Sequence, residues 1–314
     1  MKKYIVLFFG CISMYAANAQ NENDILRYSQ NYNLGTARSQ AVGGAFGAVG
    51  ADYSSVYLNP AGLGLYRRNE INLSGAITAN TADAAYLGNT KYDSRTNFNI
   101  PTFGIVLSKV KSGLKGDATE GLINYNVAFG YTRTNDFQKN ISYEGYNSTS
   151  NISQYYIQQA NGVPYSQVSA TNDWTNIYHL AWNAYLIDTA NNSNTYYSPW
   201  FERVPSYKIL QEGNIQTRGS NGEYNFNAAI NIGNIVYFGA GLVLTNAHYE
   251  QTAYFSESDP NATVVDSVLG NTYKSSTLKF SLTSDGSGVA GRFGVIIRPI
   301  DYLRVGFTAQ TATR

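Results

Sequence analysis

The chain has 314 residues, among them 29 Gly and 27 Tyr, and only 14% of its residues carry a charged side chain. A soluble cytoplasmic enzyme normally has about 25% charged residues, so this composition argues against that class. The formal net charge of +1 supplies no basic surface for a polyanion, and we therefore expect no nucleic-acid partner.

Residues 1–19 predict an export signal. Lys2 and Lys3 form its positive start, an apolar run follows to about residue 16, and Ala-Asn-Ala marks the expected cleavage site. A lipidated Cys11 is the alternative, although the apolar run before it is very short. Cleavage would remove the only cysteine, so we expect neither disulfides nor thiolate chemistry in the mature chain. No later apolar run has the ~18–20 residues of a membrane-spanning helix.

The next segment, from Thr36 to Tyr66, is rich in Gly and Ala and almost free of charge: TARSQAVGGAFGAVGADYSSVYLNPAGLGLY. Small residues suit close packing against another structure. The glycine spacing G-G-x-x-G-x-x-G does not match the dinucleotide fingerprint, and the Walker lysine is missing. The segment therefore predicts no nucleotide site.

From residue 69 onward the chain alternates apolar with small or polar residues. The clearest case is INYNVAFGYTRT, in which one face consists of Ile123, Tyr125, Val127, Phe129 and Tyr131. The same period of two recurs in EINLSGAIT, EYNFNAAINI, LKFSL and VAGRFGVIIRP. We count about nine candidate strands between Glu70 and Thr311, which predicts an all-β fold.

A soluble β-sandwich would also alternate, but three further features favour a transmembrane antiparallel β-barrel in the bacterial outer membrane. These are the strand length of about ten residues, the aromatic residues near strand ends, and the export signal. In such a barrel the apolar face meets lipid and lipopolysaccharide, while the Asn, Thr, Ser and Gly face lines the lumen. Residues 20–68 then form an N-terminal hatch inside the barrel of residues 69–314.

The alternation breaks over residues 137–205, which predicts a folded, partly helical extracellular loop. Within it, DWTNIYHLAWNAYLIDTA has aromatic and apolar residues at helical spacing, with Asp173 as the expected N-cap. This stripe either packs the loop onto the barrel mouth or forms a landing surface for an apolar ligand. Its candidate ligand-landing residues are Trp174, Ile177, Tyr178, Trp182 and Tyr185.

No catalytic pattern stands out. His179 is expected on the side of the helix opposite the stripe, and His248 lies near a strand end, each without a metal-like partner in sequence. The chain also lacks GxSxG, an ordered Ser/His/Asp set and a spaced pair of carboxylates. We therefore expect no enzymatic activity, no metal and no cofactor.

The stretch GTARSQAVGGAFGAVGADYSSVYLNPAGLGLYRRNEINLS resembles the N-terminus of the FadL/OMPP1/TodX outer-membrane transporters, especially their Bacteroidetes versions. Asn59, Pro60 and Ala61 correspond to the "NPA" hatch motif of that family. Later, GVIIRPIDYLRVGF resembles a hairpin from the middle of the family's barrel. A tripeptide is weak evidence by itself, but here its glycine-rich context and the strand that follows it also match.

The resemblance implies a monomeric barrel of about fourteen strands, inserted by the barrel-assembly machinery and closed by the hatch. It also implies passive inward passage of hydrophobic small molecules, such as long-chain fatty acids or aromatic hydrocarbons. In the family a kink in the third strand opens the wall, and Gly130 is the candidate position for it. A small residue making room for the hatch is the equal alternative.

Two other functions stay open at this stage, a structural or shuttle role in protein secretion and a surface adhesin. The strand count is also lower than the family's. An eight-stranded barrel would be filled by its own side chains and could not hold a hatch. The chain stops at FTAQTATR, without the usual final aromatic strand residue. We therefore expect the 314 residues to be a C-terminally truncated family member.

Overall fold

The computed structural model describes residues 22–32, 34–111, 120–170, 176–201, 207–261, 263–266 and 270–314. Strands make up 56% of the structure and form a mostly antiparallel, curled half-barrel sheet, which confirms the predicted antiparallel β architecture. None of the described helices has the length and apolar character needed to cross a membrane. The predicted signal peptide lies outside the described residues.

The main sheet has eight strands, and a separate small sheet has two. The strands are β1 Glu70–Tyr86, β2 Asn89–Val110, β3 Leu122–Asp136, β4 Lys139–Asn147, β5 Asp188–Thr189, β6 Tyr196–Tyr197, β7 Ile209–Ile232, β8 Val236–Ser258, β9 Ser275–Ile300 and β10 Leu303–Gln310. Along the main sheet the order is β1-β2-β3-β7-β8-β9-β10, and β4 also pairs with β7.

Short helices occupy the N-terminal region and the connection between β4 and β7. They are α1 Glu22–Ser29, α2 Ala37–Ala41, α3 Ser55–Leu58, a 3₁₀ helix Pro60–Leu65, α4 Ile152–Ala160, α5 Tyr165–Val168, α6 Ile177–Asn183 and a second 3₁₀ helix Ala190–Asn192. Residues 34–66, here called the inner segment, cover one face of the sheet, which we call the inner face.

The predicted alternation is present, and it separates an apolar outer face from the inner face. Ile71 and Ile77 of β1 are 77% and 76% exposed, and Phe307 of β10 is 71% exposed. On β3, Tyr125, Val127 and Phe129 also point outward and are about half exposed. Ile123, predicted on the same face, is buried because the register of β3 against β7 shifts next to it.

The strands are much longer than the ten residues expected from the sequence. β7 has 24 residues, β8 has 23 and β9 has 26. On β7 only the final part, from Tyr224 to Ile232, carries large apolar residues on its outer face, whereas Ile209 to Gly222 is mostly polar. Hydrophobic alternation revealed this apolar part alone, since the remaining half of the strand has no apolar face to detect.

The region of residues 137–205 also differs from the predicted loop, because its first part is the strand β4. β3 pairs with β7 from Leu122 to Asp136, and β4 continues along β7 in the same direction. The two strands thus form one line along β7, which is interrupted at Phe137 and Gln138. β2 leaves β3 near this break, since their pairing ends at Thr102 and Thr132. Beyond that point the β1–β2 hairpin contacts β4 through side chains.

Helices α4–α6, strands β5 and β6, and the β8–β9 connection form a cap with its own apolar core. The core consists of Tyr156, Ala160, Val168, Ala181, Leu186, Ile187, Tyr196, Phe201, Ile209, Val264 and Tyr273. These side chains bury one another rather than a surface of the main sheet, except for Ile209 at the start of β7. The insertion is therefore a small packed unit beyond one end of the long strands.

Candidate functional site: the inner segment and the sheet beneath it

Short-range polar contacts fix the conformation of the inner segment. The Thr36 hydroxyl accepts the Ser39 N–H as the N-cap of α2, and it donates to Asp52 Oδ1 at 2.8 Å. The Asn59 side chain accepts the Ala61 N–H at 3.1 Å and caps the first 3₁₀ helix, with Pro60 at the first helical position. Pro fits there because it needs no N–H partner and already has a helical φ.

The predicted motif residues Asn59, Pro60 and Ala61 lie directly against two glycines of the inner face. Gly239 of β8 and Gly294 of β9 are opposite one another in the ladder. A Cβ atom on Gly239 would lie 2.2 Å from the Pro60 carbonyl carbon, and one on Gly294 would lie 1.9 Å from Asn59 Oδ1. The motif can approach the sheet this closely only because both positions lack a side chain.

The Asn59 amide also connects separate parts of the chain. Its Nδ2 donates to the Gly47 carbonyl at 2.8 Å and to the Phe307 carbonyl of β10 at 3.4 Å. Asn59 is 2% exposed and Ala61 is fully buried. A single side chain therefore caps its own helix, joins two parts of the inner segment, and reaches an edge strand.

A second pair of facing glycines, Gly104 of β2 and Gly130 of β3, accommodates Tyr53. Tyr53 is fully buried, its hydroxyl donates to the Phe103 carbonyl at 3.2 Å, and burial raises the pKa of its phenol. A Cβ on Gly130 would lie 2.2 Å from the Tyr53 hydroxyl. The glycine pair makes the space that the phenol ring fills.

At Gly130, β3 is paired with both β2 and β7. The contact with Tyr53 is the kind that the room-making alternative describes, and the kink stays a prediction. The line that β3 and β4 form along β7 is interrupted at Phe137 and Gln138.

Asparagines of β3 satisfy the backbone at the end of the inner segment. Asn124 Nδ2 donates to the Tyr66 carbonyl at 2.7 Å, and Asn126 Nδ2 donates to the Leu63 carbonyl. Arg67 donates to Asn124 Oδ1 at 3.2 Å and also to the Asn234 side chain in the β7–β8 turn. Carbonyls at the end of a helical turn need such partners when they are buried.

A buried ion pair, which the sequence analysis did not identify, lies beside α3. Arg292 of β9 and Glu223 of β7 are 3% and 4% exposed, and Arg292 Nη2 lies 2.8 Å from Glu223 Oε2. Arg292 Nη1 donates to the Val56 carbonyl at 3.3 Å, and its guanidinium carbon lies 5.2 Å from the centre of the Tyr57 ring. The sequence signal for this pair was a charged residue on the polar face of each strand, Glu223 on β7 and Arg292 on β9.

A cavity of about 710 Å³ lies between helix α1, β1 and the interruption between β3 and β4 at Phe137 and Gln138. Leu26, Leu34 and Phe137 contribute apolar surface, and Lys139 lies at its polar side. Helix α1 borders the cavity, with its Arg27 guanidinium 3.8 Å from the centre of the Tyr249 ring. The space has the mixed lining that suits an amphipathic molecule.

The aromatic stripe of the cap is used largely for packing. Ile177, Tyr178 and Trp182 are partly buried against the core of the cap. The Tyr185 carbonyl follows α6 and accepts the Trp200 indole N–H at 2.7 Å. Trp174 and the predicted N-cap Asp173 lie outside the described residues. Helix α6 itself begins at Ile177 after Asn176.

The two histidines have structural partners. His179 was predicted on the polar side of its helix, but it is 3% exposed, with Nδ1 2.9 Å from the Val168 carbonyl. His248 lies at the surface between Asp285 and Glu250. Within the described part of the chain, no group of three or more His, Cys, Asp or Glu side chains could hold a metal ion.

No family model, curated protein or solved structure matches the chain. The most specific geometry among the described residues is the contact between the Asn59–Ala61 turn and the glycines beneath it.

Proposed function

We propose that this chain belongs to an outer-membrane β-barrel of the FadL/OMPP1/TodX type, in which the inner segment is the hatch. Its function would be passive transport of hydrophobic small molecules, such as long-chain fatty acids or aromatic hydrocarbons. The observation that carries the proposal is the Asn59–Pro60–Ala61 turn, held against facing glycines on the inner side of a curled sheet with an apolar outer side.

The outer face supports placement in a lipid bilayer. Exposed large apolar side chains recur on every strand of the main path, including Leu73, Phe103, Phe226, Leu242 and Phe293. In water such a continuous apolar surface would promote aggregation, whereas hydrocarbon is its favourable environment. The long polar continuations of β7–β9 would then extend past the bilayer toward the cap.

The contacts on the inner face support a transport route that the inner segment blocks and can leave. Asn124, Asn126 and Asn227 hold the inner segment by hydrogen bonds to its carbonyls. Polar contacts of this kind can be exchanged for contacts with water when a segment moves, so they oppose its displacement less than apolar packing does. The cavity between α1, β1 and the Phe137–Gln138 interruption provides space for an amphipathic molecule next to this segment.

Uptake of a labelled long-chain fatty acid by expressing cells tests the proposal. In the Gly239→Ala variant the new methyl group would displace the backbone of Pro60, so uptake should rise severalfold at equal surface level. Gly291→Ala is the matched control, because its nearest neighbour would be an ordinary 3.5 Å contact with Phe293. Uptake no greater than in cells with an empty vector, or recovery of the chain in the soluble periplasm, would refute the proposal.

A further inference from the structure

We propose that the Arg292–Glu223 ion pair sets how readily the inner segment leaves the sheet, so that the pair regulates opening. This inference rests on the proposed function in one respect, the movement of the inner segment. It concerns two residues of the strands, neither of which belongs to the Asn59–Ala61 motif.

Arg292 joins four elements through its side chain. Its Nε and Nη2 donate to Gln310 Oε1 of β10 at 3.0 Å and 2.7 Å, and Nη2 also reaches both oxygens of Glu223 on β7. Nη1 donates to Asn225 Oδ1 at 3.1 Å and to the Val56 carbonyl of α3. Each N–H group of the Arg292 guanidinium therefore has an acceptor on β7, β10 or α3.

The contact with Val56 is the one that involves the inner segment. Helix α3 has only four residues, so it ends before a later helical N–H can donate to the Val56 carbonyl. It accepts from Arg292 and from Asn227 Nδ2, each at 3.3 Å. The Tyr57 ring lies over the guanidinium and shields it from water. Closing the inner segment therefore covers the ion pair and removes its hydration.

This desolvation determines the direction of the effect. Burying an ion pair removes the hydration of both ions, and their mutual attraction often fails to offset this loss, so a well-packed apolar pair is often equally or more stable. When the inner segment leaves, the inner face becomes wet and both ions regain hydration. The pair therefore lowers the cost of opening, whereas apolar side chains in its place would raise it. A single unpaired charge would disfavour closure most strongly.

A buried reporter cysteine measures opening directly. Ser55→Cys in a Cys11→Ser background places a thiol at a position that is 1% exposed beside α3, and its labelling by a bulky polar maleimide requires departure of the inner segment. The full chain is used in outer membranes. We expect Arg292→Leu and Glu223→Met to raise the labelling rate at least tenfold each. The double variant should label at or below the rate of the unsubstituted pair.

A matched control uses the exposed ion pair of Lys91 and Glu144, whose side chains are 41% and 42% exposed. Replacing both by Met should leave the labelling rate unchanged. Single Arg292 or Glu223 variants that label like the parent, or a double variant that labels as fast as the singles, would overturn the inference. Fatty-acid uptake is measured in parallel. The expected labelling pattern without any uptake would sink the transport function and leave the role of the ion pair standing.

Discussion

The missing side chains of Gly104 and Gly130 leave a space on the inner face that the ring of Tyr53 fills completely. A Cβ on Gly104 would have as its three nearest atoms the Oη, Cζ and Cε2 atoms of Tyr53, at 2.1–2.4 Å. The three nearest conflicts thus all involve the Tyr53 side chain. The contact therefore tests whether the inner segment depends on the glycine pair.

We expect Gly104→Ala to displace the Tyr53 ring and to destabilise the packing of the inner segment on the sheet by about 1–3 kcal/mol, the usual cost of overpacking a filled interior. In a Tyr53→Leu background the same substitution should cost much less, because the three conflicting atoms are absent. Hydrogen exchange over residues 52–66 in all four chains gives the coupling free energy. An equal cost in both backgrounds would show that Gly104 acts through some other contact.

At the scale of elements, the sequence predicted well which residues lie on the outer face of the sheet, and poorly where the polar strands lie. Tyr125, Val127 and Phe129 could be assigned to one face because lipid or solvent acts on each strand separately. β4 was missed because it lies outside the apolar stretch, where neither face must be apolar. The alternation breaks at residue 137 as predicted, but the pattern did not reveal that the chain continues along β7 beyond this break.

The candidate site shows the same division. Asn59, Pro60 and Ala61 form a local turn, so their spacing in the sequence was sufficient to identify them. The inner-segment partners of Asn126 and the Glu223 partner of Arg292 are 60 or more residues away along the chain. Period and composition contain no information about such pairs. The Asn residues that were predicted to line the lumen are therefore hydrogen-bond donors to the inner segment.

The packing of α6 allows a test of the aromatic stripe. We expect Trp182→Ala to loosen the cap, since Trp182 packs against its core and its ring centroid lies 5.5 Å from that of Tyr165. Removing a large, partly buried ring should cost about 1–3 kcal/mol, less than the full burial value. Limited proteolysis of residues 148–201 measures it. Weaker binding of an apolar probe, with the cap still protease-resistant, would instead indicate a ligand-landing surface.

At the scale of the whole molecule, the apolar outer face is the feature that membrane residence requires. We expect Phe226→Lys to impair insertion, because a lysine near the bilayer midplane of a β-barrel costs about 2–4 kcal/mol. Glu212→Lys on the polar half of the same strand is the control and should be tolerated. The membrane-integrated fraction after alkaline extraction compares the two. Equal extraction of both variants would place Phe226 outside the bilayer.

The two edges of the sheet have one further geometric consequence. Every step along the path β1-β2-β3-β7-β8-β9-β10 is antiparallel, and the path contains seven strands, so β1 and β10 point the same way. Two copies in the same membrane orientation would meet edge to edge only as parallel neighbours. An antiparallel bridge from β10 back to β1 takes an odd number of strands, which makes the total even, the parity of bacterial outer-membrane barrels.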